Sequence, residues 1–387
     1  MEEYQLESIA PYSDEEAVEA LGKVANHPSV PWISKYIFPN QPETYLRDIL
    51  KSIRSIDEFQ SIVMSQAIEW VIEKSVHNFS YDGLSKIQDL DGKYLAMSNH
   101  RDIILDPAFT QIILFRNKLP MTEICVGDNL LKQRSVEYLI RSNRMIKVIR
   151  GVSARELYLS SQVLSKYIRE AITSGKSSVW IAQKQGRTKN GIDITEQGLL
   201  KMIDMSGGAD FVKNFLELNL VPLSISYEYE PCDILKAREI LISRTQKYVK
   251  TENEDLQSIL VGIKQYKGNV HLNIGDLLTE EEIKIASECD KNDRYQAIRN
   301  AVDKRVIMGY RLWKTNYMGY DLANHSFKYA DSKYTHEDLE EFTEYTEHQL
   351  DNVEPTLNRS ELRDIFLRIY GNPVMMKEKM KEEEEKN

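Results

Sequence analysis

Residues 96–107 read AMSNHRDIILDP. An apolar run, 93–98, leads into Asn99-His100, and Asp106-Pro107 opens an apolar stretch beyond. Asp is favoured just before a helix, where its carboxylate accepts from open backbone amides, and Pro is favoured at the first helical position. The spacing predicts a strand that ends at His100 and a helix that Asp106 caps. A strand that turns into a helix through a short polar loop is the repeating unit of α/β folds.

Further short apolar runs, bounded by Gly, Asn and Asp, lie downstream at 123–127, 146–149, 177–182, 221–229 and 269–274. Helical periodicity lies between them. Over 156–174, Leu157, Leu164, Tyr167, Ile168 and Ile172 share one side, and Gly175 supplies a stop. This alternation predicts an α/β domain with a mixed, mainly parallel sheet flanked by helices. Upstream, residues 1–85 read as helical. Ser13 and Glu16 fit a capping box, and 56–76 repeats Phe59, Ile62, Val63, Ala67, Val71 and Ile72 at helical spacing. Beyond Arg311 the pattern is again helical, through an acid-rich 336–351 and a segment 360–370, to a charged tail expected to be frayed and solvated. The expected division is a helical N-terminal region (1–85), an α/β catalytic domain (86–310) and a helical C-terminal extension (311–387).

Of the 387 residues, 42% are hydrophobic, enough for a sizeable core, and the net charge is -10. That charge argues against general nucleic-acid binding, which needs clustered cations. Cys125, Cys232 and Cys289 lie far apart without a CxxC pair, so neither a disulfide framework nor a zinc site is readable, and a reducing cytoplasm is expected. The N-terminus is acidic, unlike a signal peptide. The best apolar run, 103–115, is interrupted by Asp106 and Gln111 and falls short of the roughly 20 residues of a spanning helix. One local reversal of charge stands out: Lys132, Arg134, Arg141, Arg144, Lys147, Arg150 and Arg155, with Glu137 as the only acid among them. Such a run suits anionic head groups or an acidic carrier protein, and equally a solvated helix face.

Three segments carry candidate chemistry. A histidine at a strand end suits proton transfer when a carboxylate fixes one ring nitrogen and leaves the other to accept a proton. Both Asp102 and Asp106 lie within reach of His100; Asp106 is favoured because it opens the helix. The loop after VWIA, QKQGRTKNG at 183–191, offers Lys184, Arg187 and Lys189 beside open amides, an arrangement that suits phosphate or a plain basic turn. The run VPLSISYEYEPCD at 221–233 is an apolar strand with Pro222 near its start, by itself no more than a core strand.

In this order, over residues 94–276, the segments resemble the glycerol-3-phosphate / 1-acylglycerol-3-phosphate acyltransferase family. That family has four blocks. SNHRDIILD matches its His-x4-Asp motif, MIKVIR (145–150) an apolar strand ending in Arg, QGRTK (185–189) its Glu-Gly loop, and VPLSISYEY its strand with Pro. There are two departures: one extra residue stands between His100 and Asp106, and Gln185 replaces the usual Glu, which removes a charge. The resemblance implies an O-acyltransferase of phospholipid biosynthesis. His100 and Asp106 would be catalytic, with backbone amides holding the oxyanion. Arg150, Gln185, Gly186, Arg187, Lys189 and Pro222 would bind substrate. Acyl-CoA or acyl carrier protein would supply the thioester, with no metal and no other cofactor. The acceptor would be a glycerol phosphate, and the protein would sit in the cytoplasm, peripherally on the anionic inner face of the membrane. Two alternatives share the pattern: an acyltransferase for an amino-acid-derived lipid, and a non-catalytic relative that binds acyl chains or a carrier.

Overall fold

The computed structural model describes residues 5–251 and 253–386. Its centre is a seven-stranded sheet of order β1-β7-β6-β2-β5-β3-β4. The strands are β1 (Asn78–Asp82), β2 (Leu95–Ser98), β3 (Glu123–Gly127), β4 (Met145–Val148), β5 (Val179–Ala182), β6 (Leu220–Tyr227) and β7 (Asn269–Ile274). β6, β2, β5, β3 and β4 run parallel, while β7 is antiparallel to β6 and parallel to β1. The fold is therefore α/β with a mixed, mainly parallel sheet, helices on both faces, and helical regions at both ends of the chain. Parallel strands bring their C-terminal ends to one edge, and ligand sites of such sheets form there.

Both faces of the sheet are covered, which is why its strands read as continuous apolar runs. Side chains alternate along a strand. Leu95, Met97, Val179 and Ile181 join a core with Ile168, Ile172, Leu200 and Phe215 on one face. Ala96, Trp180 and Tyr227 join Val71, Leu105, Phe109 and Ile113 on the other.

Three local expectations need correction. Residues 78–82, read as helical, form edge strand β1, paired with β7 alone. The reason is that Phe79 and Tyr81, two apart, both pack on the second core, and period two selects a strand. The stretch 56–76 is not one regular α-helix; a π-helical segment, Phe59–Met64, precedes Ser65–Ser75. The tail is solvated but helical: the last helix spans Arg359–Lys386 through Pro373. Ion pairs of Glu378 with Lys328 and of Glu384 with Lys304 tether its charged end. The capping box at Ser13 and Glu16 opens the helix Asp14–Val24 as expected.

The C-terminal helices pack on the helix Asp233–Ser243 that follows β6, through a core including Leu241, Phe342, Phe366 and Tyr370. Two of them, Lys314–Ala323 and Arg359–Lys386, approach backbone to backbone at glycines. A Cβ on Gly371 would stand 2.8 Å from Tyr320 Cα. Gly371→Ala should therefore destabilise by about 1–3 kcal/mol, the usual cost of overpacking. A denaturant midpoint equal to wild type would show that the crossing yields. Among the described residues, no helix is long and apolar enough to cross a membrane.

Candidate active site

The turn after β2 is built around one carboxylate. The helix begins at Leu105, two residues before the expected start, and spans Leu105–Arg116. Asp102 serves its entry, because Oδ1 accepts from the amides of Ile104 (3.0 Å) and Leu105 (2.9 Å). Asp106 lies in the first turn and reaches back instead of capping. Its Oδ2 accepts from His100 Nδ1 (3.0 Å) and from the amides of Arg101 (2.6 Å) and Asp102 (2.9 Å). Its Oδ1 accepts from the Tyr227 hydroxyl (2.7 Å). Four donors satisfy a buried carboxylate better than one capping bond would. Winding the turn so that two successive amides point at Asp106 also accommodates the extra residue in the motif.

The Asp106 bond requires a proton on His100 Nδ1 and so leaves the lone pair on Nε2. Nε2 makes no hydrogen bond among the described residues, and the side chain keeps 14% of its surface. Trp180 packs against the ring edge-on, with centroids 6.1 Å apart.

Beneath the turn lies a buried ionic network. Arg101 pairs with Asp193 (2.6 Å) and Glu230 (3.3 Å), and Lys236 pairs with Glu230 (2.6 Å) and the Arg101 carbonyl (2.7 Å). Burial alone would raise the Asp193 carboxyl, but the Arg101 guanidinium prevails and holds it below the ordinary aspartate value. Asp193 also accepts from Asn99 (3.0 Å) and from the Thr188 hydroxyl (2.7 Å), while the Thr188 amide donates to the His100 carbonyl (2.6 Å). The basic loop is thus stitched to the histidine turn.

The other sequence-selected residues divide. Arg187 precedes Thr188 in that loop, and its Nη1 is buried without a hydrogen-bond partner. Arg150 follows β4 at the same edge and lies over Gly127, where a Cβ would stand 2.8 Å from its Cζ. Burial lowers its pKa. Among the described residues neither arginine forms an ion pair, but the Arg187 guanidinium lies close enough to Asp102 and Asp255 to favour their charged forms, and to Cys232 to meet its thiol. Lys189 is occupied by Glu239. Gln185 is exposed, and its backbone N–H donates to Glu196 (3.2 Å). Gly186 adopts φ 74, a conformation that favours glycine. Pro222 does not reach the edge: it lies buried within β6 opposite Met97, and its carbonyl takes the Gly275 amide (2.8 Å). In the basic run, Arg141 binds the Ala10 carbonyl (2.7 Å) and Arg144 pairs with Asp57 (2.5 Å), so these two hold the N-terminal helices.

Sequence reasoning missed Tyr227 and the Arg101 network. The alternation Val221, Leu223, Ile225, Tyr227 was a usable signal for the tyrosine, because it puts Tyr227 on the face that the Leu105–Arg116 helix covers. It also missed an apolar cavity of about 180 Å³, lined by Ile104 and Pro107 next to the His100 turn, and by Met64, Phe115, Leu139 and Met145.

No protein-family model and no curated protein matches the sequence. Among solved structures the chain is similar to the 1-acyl-sn-glycerophosphate (LPA) acyltransferase PlsC from Thermotoga maritima, at 12% identity and a TM-score of 0.38 over 74% of this chain and 92% of that one. A likeness that loose transfers neither a site nor an activity.

Proposed function

We propose that this chain is an O-acyltransferase that moves a fatty acyl group from a thioester, acyl-CoA or acyl carrier protein, to a hydroxyl of glycerol-3-phosphate or 1-acylglycerol-3-phosphate. The observation that carries this reading is the His100–Asp106 pair at 3.0 Å, with Nε2 open at the sheet edge. In this mechanism Nε2 takes the acceptor's hydroxyl proton as the oxygen attacks the thioester carbonyl. Asp106 steadies the imidazolium, which returns the proton to the departing thiolate as the C–S bond breaks. The apolar cavity beside Ile104 and Pro107 suits the acyl chain, and Arg187 and Arg150, neither of them in an ion pair among the described residues, suit the acceptor's phosphate. Such a protein would work in the cytoplasm, against the inner face of a membrane.

Thiol release from acyl-CoA and acyl carrier protein, followed with and without each acceptor, tests the reading. Release that depends on a glycerol phosphate is expected. No release, or release indifferent to acceptor, would refute it, and release only with a hydroxylated carboxylate would move the assignment to an amino-acid-derived lipid. Arg187→Lys should raise the acceptor KM by about tenfold, because the planar fork is lost, and leave the donor KM nearly unchanged. Equal KM values in variant and wild type would reduce Arg187 to a brace for its loop.

A further inference from the structure

The helix Glu254–Lys264 crosses the edge of the sheet that carries His100 and leaves three of its apolar side chains exposed. The side turned to the protein is mixed: Ser258 and Gly262 are buried, and Ile263 packs on the second core. A Cβ on Gly262 would stand 2.3 Å from Asp102 Oδ2, the Ser258 carbonyl accepts from Cys232 Sγ (3.2 Å), and Asp255 accepts from Asn129 (3.0 Å). The side turned outward carries Leu256, Leu260 and Val261 at 48%, 39% and 38% exposure, beside the exposed Gln257 and Lys264. A surface helix of a globular protein ordinarily turns polar side chains, not three large aliphatic ones, to solvent.

The apolar face continues onto a neighbouring helix, Val30–Ile37. Lys264 Nζ lies 5.7 Å from the centroid of the Tyr36 ring, and Tyr36 stacks on Trp32 at 5.9 Å. Trp32 is 60% exposed.

We propose that this face seats the protein on a phospholipid bilayer, with the Glu254–Lys264 helix lying flat in the head-group region; the choice of occupant rests on the acyltransferase reading. The composition favours lipid over a second copy of the chain. Aliphatic side chains are flanked by amphipathic Trp and Tyr rings and by the exposed lysines Lys247 and Lys264, the combination found where a protein meets the membrane–water boundary. At 11 residues the helix is too short to span a membrane, yet long enough to bury one face in its surface. Because the opposite face of the same helix contacts Asp102, docking sets the His100 cleft against the head groups, where an amphiphilic acceptor enters without crossing water.

The test is flotation of the full chain with vesicles of phosphatidylcholine plus phosphatidylglycerol, comparing wild type with Leu256→Asp/Leu260→Asp. Both positions are exposed, so the variant should fold, as circular dichroism will show. Wild type should float and the variant should bind at least about tenfold more weakly, since two buried leucines become two charges. Brominated lipid should quench the fluorescence of wild type more than that of Trp32→Phe. Equal flotation of variant and wild type, or no flotation of wild type, would overturn the proposal. So would a dimer that the double variant dissociates in the absence of any lipid binding, which would assign the face to a second copy. His100→Ala should float like wild type, so a failure of the acyltransferase reading leaves the docking result standing.

Discussion

His100→Ala is expected to cut acyl transfer by about 10²–10⁴-fold, the usual loss when a positioned general base is removed. The fold should survive. Asp106 keeps three of its four donors, the amides of Arg101 and Asp102 and the Tyr227 hydroxyl, so the turn and the start of the following helix stay satisfied. The missing imidazole bond should cost about 1 kcal/mol, and the space left by a largely buried ring adds to that without breaking the other bonds of the turn. Thermal denaturation followed by circular dichroism, beside a thiol-release assay, separates the two effects. A folded variant that turns over at close to the wild-type rate would end the mechanism. A variant that fails to fold would instead show that the ring is a structural member of the turn.

The legible part of the fold was the part set by local pattern. The apolar runs of β2 to β7 could be read because both faces of the sheet are covered, so that most strand residues meet a core. β1 was missed because it lies at the edge of the sheet, where only Phe79 and Tyr81 mark it amid polar neighbours. Within the site, the bond between His100 and Asp106 was readable because both residues fall in one turn. The roles around it were less so. Asp106 was expected to cap the helix, yet Asp102 serves the helix entry while Asp106 gathers donors from the turn and from β6. That choice depends on Tyr227, 121 positions away, and no local propensity encodes it. The same holds for Asp193 and Glu230, which lie 92 and 129 positions from Arg101. Lys189 and Pro222 carried family-like spacing, but neighbours that only the tertiary structure reveals turn one toward Glu239 and enclose the other in the sheet.

Arg101→Met should be the most destabilising single change at the site, by about 3–5 kcal/mol, as for a broken buried ion pair. Arg101 is fully buried, with two bonds to Asp193 (2.6 and 3.2 Å), one to Glu230 (3.3 Å) and its guanidinium 4.9 Å from the Tyr310 ring centroid. With Lys236, two cations balance two carboxylates. Removing one leaves a buried negative charge, with Asp193 held only by the neutral Asn99 and Thr188. The well-exposed pair Arg359–Asp351 (2.7 Å) is the contrast, since solvent screens it and breaking it should leave stability nearly unchanged. The defect should also depend on pH, and its sign follows from Asp193. In the wild type the carboxyl is held low, so it adds stability above the unfolded aspartate value of about 3.9 and loses it as pH falls. Without Arg101, burial dominates and the carboxyl rises, so the variant is penalised at neutral pH and relieved when Asp193 protonates. The gap between the two proteins should therefore narrow from pH 7 toward about pH 4. Adding Asp193→Asn to Arg101→Met should recover part of the loss, because it removes the stranded charge. Denaturant unfolding at the two pH values measures both effects. A gap that is constant with pH, and a double variant no more stable than Arg101→Met, would show that lost packing around the guanidinium, and not a stranded carboxylate, sets the cost.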